Sequence, residues 1–258
     1  MKNAIHSHLP GNFPWQVQYF DTIDSTNSYA KTLAAAGAPH GTVIIAGQQT
    51  GGRGRMGRSF NSADQAGVYL SILLRPNCPA TELMHLTCCV AVAVCDAVEN
   101  CCNYRPQIKW INDLIAQGKK LGGILTEMSV NPATGLTEYA VIGIGINCRQ
   151  QEFPQELQDI AITLETVTKQ SVSPFKLTAH ILIEMEKMDN LLLTNKTQII
   201  EKYKQNCITL GQDIYLIQTD NKTPCRALNI DENGSLLVEY PDKTREFINS
   251  GEVSVRPQ

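Results

Sequence analysis

TVIIAGQQTGGRGRMGRSFNSADQAGVYLSILL, residues 42–74, is the stretch from which the rest of the chain can be read. Its two ends, Thr42–Ala46 (TVIIA) and Gly67–Leu74 (GVYLSILL), are short apolar runs, and each reads as a buried strand. Between them Gln48–Phe60, QQTGGRGRMGRSF, holds four glycines and three arginines, Arg53, Arg55 and Arg58, interrupted by a single hydrophobic residue, Met56. Glycine permits positive φ and presents no Cβ, so this loop can bring bare backbone close to a ligand. The guanidinium forks suit phosphate or carboxylate. A flexible surface loop, or an arginine–glycine nucleic-acid tail, would have the same composition.

The background is weakly acidic: 22 Lys and Arg against 25 Asp and Glu give a net charge of −3. The positive charge at 53–58 is therefore local, which favours a small anion over a polyanion. With 43% hydrophobic and 18% charged residues, 258 residues suit one large domain, or a large and a small one, with a sizeable core. The nine cysteines are odd in number, include two vicinal pairs (Cys88-Cys89 and Cys101-Cys102) and form no C-x-x-C. That argues against a disulfide framework, a zinc ribbon or a thioredoxin motif, and for a reducing compartment. The start, MKNAIHSHLPGNFPW, lacks an apolar signal core, and the longest apolar run, around Leu86–Cys95, is too short to span a bilayer. A cytoplasmic protein without a membrane partner is expected. His6 and His8 read as part of a frayed terminus rather than a metal pair.

Upstream of the loop, Gln16–Tyr19 reads as a strand, and Ser25, Thr26 and Asn27 are N-cap residue types before an alanine-rich helix that stops at Gly37. A helix start of this kind also offers donors to an anion or a polar ring. Downstream, Ala80–Cys102 carries apolar residues at helical spacing, with His85 as a structural histidine. In RPQIKWINDLIAQGKKLGGILTEMS (105–129), Gln107–Trp110 reads as a strand, Asn112-Asp113 as a corner, Gln117–Lys119 as a hairpin tip and Leu121–Met128 as the returning strand. Lys109, Asp113 and Lys120 then fall near one end, although each also has an ordinary reading as a strand lysine, a turn-former and a solvated lysine. Glu138–Asn147 reads as a central strand whose Gly143 and Gly145 leave either a flat floor for a planar ring or room for a helix to cross. Glu156 to about Asn206 reads as helical, with Pro174 in a first turn. From Cys207 the pattern changes to five short strands, Ile214–Gln218, Arg226–Ile230, Leu236–Tyr240, Arg245–Ile248 and Val253–Arg256, with turns at Asp220-Asn221, Glu232–Gly234, Pro241-Asp242 and Ser250-Gly251. A small SH3-like barrel is expected there, dividing the chain into 1–206 and 207–258.

Five pieces, STN at 25–27, QTGGRGRMGR at 49–58, KWIND at 109–113, KLGGIL at 120–125 and GIGIN at 143–147, together resemble the biotin protein ligases, in that family's order. The resemblance implies an α+β fold, with a catalytic domain like that of class II aminoacyl-tRNA synthetases (a mixed sheet with helices) followed by the small barrel. It implies ATP-dependent activation of biotin to biotinyl-5′-AMP with release of pyrophosphate, then transfer to a lysine of a biotin carboxyl carrier protein, that of acetyl-CoA carboxylase or a related carboxylase. By the same resemblance Ser25, Thr26, Asn27, Gln49, Arg53, Gly54, Arg55 and Lys120 would meet biotin. Arg55, Arg58, Lys109, Trp110, Asn112 and Asn147 would meet ATP and the adenylate. Arg55, Lys120 and Asp113 would carry catalysis, with Asp113 near a Mg²⁺ ion. Many relatives form homodimers through the sheet edge of the catalytic domain. MEKM at 185–188 faintly matches a biotin-acceptor sequence, but its helical setting makes Lys187 a poor acceptor.

Ile111 stands where the family usually has proline, and Met56 where some members have another arginine. About twenty residues precede the catalytic domain, too few for the DNA-binding winged helix of members that repress transcription, so no DNA partner and no repressor activity are expected. A lipoate ligase is the alternative enzyme, but its RRxxGGGxVxHDxGN-like signature is missing from the loop. A nucleic-acid-binding protein using the loop and barrel would leave STN and KWIND unexplained.

Overall fold

The computed structural model describes residues 2–218 and 221–255. After a short helix α1 (Lys2–His6), strand β1 (Gln16–Ile23) leads into helix α2 (Thr26–Ala35), and β2 (Thr42–Gln49) and β3 (Gly67–Leu74) flank the Gly/Arg loop. Helix α3 (Leu86–Cys102) precedes three strands, β4 (Gln107–Lys109), β5 (Asp113–Ala116) and β6 (Lys119–Val130), and the central β7 (Thr137–Asn147). Helices α4 (Leu164–Thr168), α5 (Pro174–Leu191) and α6 (Lys196–Asn206) follow.

The seven strands form one mixed sheet in the order β1-β2-β3-β7-β6-β5-β4, with β1 and β2 parallel and the other neighbours antiparallel. Strand β3 is buried along its whole length, as a continuous apolar run between two covered faces must be. On one face Ala30 and Ala34 of α2 pack against Ile44, Leu73 and Val141. The other face is covered by α3, whose apolar residues run round most of its surface because α5 and α6 lie against it as well. Taken with the turn before it, Ala80–Cys102 has the length of a membrane span, longer than the run read from the sequence, and contains an 18-residue window of mean hydropathy 1.5, yet 72% of that window is buried inside the fold. Its composition is that of a core helix. All nine cysteines are free, and burial pushes the Cys89 and Cys95 thiols up to about 12.

One strand was not anticipated. The sequence reading takes Asn112-Asp113 as a corner leading to a hairpin tip, whereas Asp113 opens β5, which pairs with β4 (Lys109↔Asp113) and β6 (Asp113↔Gly123). Four residues, three of them buried, are too short a run for periodicity to register. The chain reverses between β4 and β5 at Trp110–Ile111, a cis peptide. Because β5 is short, it covers only the first part of β6, and Leu125–Val130 carries no further strand among the described residues.

The last segment is a five-stranded antiparallel sheet, order β11-β10-β9-β8-β12, built from β8 (Asp213–Gln218), β9 (Asn221–Ile230), β10 (Leu236–Glu239), β11 (Arg245–Ile248) and β12 (Glu252–Val255). The five predicted strands are present; Asp220 of one predicted turn and Arg256 of the last strand lie outside the described residues. The Trp110 indole donates to Gly234 O at 2.9 Å, and the Trp110 amide donates to Thr209 Oγ1 at 2.9 Å. These bonds tie the turn between β4 and β5 to the second sheet. The chain is an α+β protein.

Candidate active site

The start of α2 supplies a cluster of buried polar groups. Ser25 is the N-cap, in extended conformation, its hydroxyl accepting from Ser28 N. That is the capping geometry expected of serine and leaves the helix to begin at Thr26. Thr26 donates from its amide and its hydroxyl to Gln49 Oε1, at 2.9 and 3.0 Å, and Gln49 Nε2 donates to Ser62 Oγ at 2.9 Å. Ser71 Oγ, at the middle of β3, donates to Asn27 Oδ1 at 2.5 Å and lies 2.8 Å from Thr26 Oγ1. Asn27 Nδ2 donates in turn to Glu127 Oε2 at 3.0 Å, and Lys31 closes the series on Glu127 Oε1 at 2.8 Å. Ser25, Thr26, Asn27 and Ser71 are all buried, and a buried polar group without a partner would be costly, so the network holds these side chains in one arrangement.

The glycines of β7 answer to both sequence readings, one each. A Cβ on Gly143 would run into the Asn27 carboxamide, so this glycine lets α2 cross the sheet closely. A Cβ on Gly145 would lie 2.7 Å from the ring of Phe60, so this one makes a floor beneath an aromatic side chain of the loop. The loop itself is a hairpin rather than a loose tail. Arg53 bridges Ser59, Gly54 N donates to Arg58 O at 2.7 Å, and Phe60 N donates to Gly52 O at 2.9 Å. Met56 sits exposed at the tip with φ 55°. Arg55 reaches inward and donates to Asn112 Oδ1 at 3.0 Å; burial pulls its guanidinium below the usual value, against the attraction of Asp113 and Glu252. Arg58 points the other way and grips Glu252 of β12 through both guanidinium nitrogens, at 3.0 and 2.5 Å.

Two cavities meet at this loop. The inner one, about 50 Å³, is lined by Ser25, Thr26, Asn27, Gln49, Arg53, Gly54, Arg55, Phe60, Asn112, Lys120, Gly143 and Gly145 among others. The outer one, about 520 Å³, is lined by Arg58, Lys109, Asp113, Lys120 and Asn147, with an apolar side made of Ile115, Phe153, Leu157, Ile160 and Ile208. Lys120 borders both. Its ammonium lies 2.6 Å from Asp113 Oδ1, and its main chain is held by bonds to Ile160 O and from Ile162 N. Cationic groups therefore stand at the junction of a small chamber of mixed lining and a larger, more apolar one. That arrangement can hold two anionic groups against each other.

All the residues singled out from the sequence line this region, but not equally. Trp110 borders neither chamber; it edges a cleft of about 90 Å³ between the loop and Glu252, with its indole committed to Gly234. Asn147 is buried and donates to Ile162 O at 3.3 Å while lining the outer chamber. Asp113 is paired with Lys120, and among the described residues no three His, Cys, Asp or Glu side chains cluster to hold a metal. Ser71, Lys31, Glu127, Phe60 and Glu252 escaped the sequence reading. Ser71 could have been found, being the one polar residue in GVYLSILL, a run otherwise buried and apolar.

Comparison with known proteins shows the family of the chain. The family model described as "Biotin/lipoate A/B protein ligase family" matches residues 19–147, and "Biotin protein ligase C terminal domain" matches 209–256. The "Bifunctional ligase/repressor BirA" of Bacillus subtilis is 37% identical over 235 residues, covering 90% of this chain and 72% of the relative. The "Biotin--[acetyl-CoA-carboxylase] ligase" of Mycobacterium tuberculosis is 28% identical over 235 residues, 89% of this chain and 85% of the relative. Among solved structures, the biotin protein ligase of Aquifex aeolicus in complex with biotin and ATP superposes with a TM-score of 0.79 at 28% identity, covering 94% of this chain and 99% of that one.

Proposed function

Because this chain belongs to the biotin protein ligases of the biotin/lipoate A/B protein ligase family, we propose that the inner chamber takes biotin, the outer chamber takes ATP, and the residues between them join the two. The observation that carries the proposal is the position of Lys120, which borders both chambers, beside Arg55 over the inner one. Ser25, Thr26, Asn27 and Gln49 surround the biotin head, with Arg53 and Gly54 closing over it. Arg55, Arg58, Lys109, Asn112 and Asn147 face the nucleotide and the adenylate; Trp110 acts at one remove, by tying the KWIND turn to the second sheet.

The chemistry follows from this placement. A biotin carboxylate oxygen attacks the α-phosphorus of ATP, the bond to the β-phosphate oxygen breaks, and pyrophosphate leaves. Two anions must approach for that step, and Lys120 and Arg55 offset their repulsion and the charge that builds on the α-phosphate oxygens. The acceptor amine then attacks the acyl carbon and AMP leaves. The inner chamber has room for only a few waters, so the loop must lift to admit biotin and fold back to shield the mixed anhydride from hydrolysis. Mg²⁺ binds through one or two carboxylates plus substrate phosphates rather than in an all-protein cage. The donor set fits that mode, with Asp113 as the carboxylate that would hold it, and the ion would supply charge neutralisation for the phosphates.

The acceptor we propose is the biotin carboxyl carrier protein of acetyl-CoA carboxylase or a related carboxylase. We further propose a division at 206/207, between the end of α6 and the second sheet, and pairing of two copies along the uncovered part of β6. These 258 residues are proposed to have no repressor activity. A biotin-dependent shift of promoter DNA would overturn that point. The main proposal is tested by incubating the protein with ATP, Mg²⁺ and either biotin or lipoate and looking for the acyl-adenylate by mass spectrometry. Product with biotin alone is expected; product with lipoate, or with neither, would sink it.

A further inference from the structure

We propose that Glu127 is a positioning residue that forces Asn27 to present an N–H, not an oxygen, to the inner chamber, so that the chamber selects a urea carbonyl and rejects a donor-only group in its place. The inference rests on the reading that the biotin head lies at Ser25–Asn27.

A carboxamide can be turned either way round, and its neighbours decide which way is stable. An ionised carboxylate only accepts. Burial alone would raise the Glu127 carboxyl, but hydrogen bonds from Lys31 and Asn27, with the attraction of Lys31 and Arg53, hold it below the usual carboxylate range. Lys31, which only donates, occupies Oε1 at 2.8 Å, and Oε2 is left facing the Asn27 amide at 3.0 Å. With the amide turned over, Asn27 Oδ1 would face Glu127 Oε2, two acceptors without a proton between them. As it stands, Nδ2 spends one hydrogen on Glu127, Oδ1 receives the Ser71 hydroxyl at 2.5 Å, and the second Nδ2 hydrogen is available to the chamber. Gln49 is set in the same sense. Its Oε1 accepts twice from Thr26 and its amide nitrogen donates to Ser62, leaving one further N–H. The chamber is thus biased towards donors at this end. A ureido carbonyl, which only accepts, is complementary; a guanidinium, which only donates, is not. Neither Glu127 nor Lys31 lines the chamber, so their effect passes through Asn27.

The experiment measures adenylate formation from biotin and from 2-iminobiotin, the guanidinium analogue, at neutral pH. In Glu127→Gln, Lys31 captures the new amide oxygen and turns its NH₂ toward Asn27, which must flip to accept it. The expected result is a rise of roughly tenfold or more in the KM for biotin, with the KM for ATP unmoved, and a fall of about a hundredfold in the preference for biotin over 2-iminobiotin, counting one hydrogen bond for each ligand. Removing the orienting ammonium as well, in Lys31→Met with Glu127→Gln, frees the amide to turn back and recovers preference for biotin. Glu127→Asp keeps an acceptor-only group and keeps the preference, which covers the case in which Glu127→Gln does not fold. An unchanged preference in Glu127→Gln, a lost preference in Glu127→Asp, an equal rise in the KM for ATP, or equal use of both ligands by the unaltered protein would each overturn the inference. A protein that makes no adenylate from biotin at all would instead overturn the proposed function on which it stands.

Discussion

Replacing Lys120 with alanine separates the catalytic use of this residue from its part in the fold. The Lys120–Asp113 pair is short, 2.6 Å, but the side chains are 42% and 25% exposed. A pair so open to solvent contributes about 0.2–1 kcal/mol, because water screens it and two side chains must be held in place. The main-chain bonds to Ile160 and from Ile162 survive the substitution. The melting temperature should therefore fall by no more than about 4 °C, the shift expected for roughly 1 kcal/mol in a protein of this size. The chemical step is different, since no other ammonium group among the described residues borders both chambers. Losing one preorganised donor to a developing oxyanion costs about 2.7–4 kcal/mol, or roughly 10²–10³ in kcat. Pyrophosphate release at saturating biotin and ATP reads this directly, with a thermal melt on the same preparation. In the thermal melt alone, Asp113→Ala combined with Lys120→Ala controls for the carboxylate left without its partner. A loss in kcat below about tenfold, or one that tracks a collapse in melting temperature, would refute the role given to Lys120.

Arg55→Gly removes the guanidinium held over the inner chamber by Asn112, and should release the adenylate faster and label bystander lysines; slower release would count against the loop's closing role. Glu252→Gln weakens the grip of the second sheet on Arg58. With Arg58 67% exposed, the melting temperature should move by under about 1 kcal/mol equivalent, while a stopped-flow release assay shows a shorter-lived adenylate. Gly145→Ala puts a methyl group against the Phe60 ring, so Phe60 must move off β7; the KM for biotin should rise, and an unchanged KM would place Phe60 outside the chamber's working form. Glu127 has its carboxyl held low in the fold by Lys31 and Asn27 against the effect of burial, so its contribution to stability is fully present above the unfolded carboxyl value and is lost as the pH falls through the lower folded one. Melting temperatures of the unaltered protein and Glu127→Gln should therefore converge as the pH is lowered from 7 towards 3, and a constant gap would contradict the pairing.

Much of this protein is written locally. Ser25 at the N-cap, Gly37 in a left-handed turn after α2, the apolar runs of β2, β3 and β7, and most of the short strands after Cys207 follow from period and residue type within a few positions; β9 is the exception, opening at Asn221, where the sequence reading has a turn, rather than at Arg226. The loop's charge is local too, since three arginines among four glycines stand out before any fold is known, although that composition by itself suits a flexible loop or a nucleic-acid tail as well as an anion site. What local pattern could not contain is which distant groups face one another. Thr26 meets Gln49 across 23 positions, Asn27 meets Glu127 across 100, and Arg58 meets Glu252 across 194. Trp110 looks like a site residue in KWIND, and only the second sheet, by offering Gly234 O, turns it away from both chambers. The same holds for α3, which by composition could cross a membrane and is instead covered on its several sides by sheet and helices. The physical reason is one of range: strand and helix periods arise from neighbours in the chain, whereas the donor face of Asn27 and the two-sided position of Lys120 arise from the order in which β3, β7, β6 and β5 lie side by side.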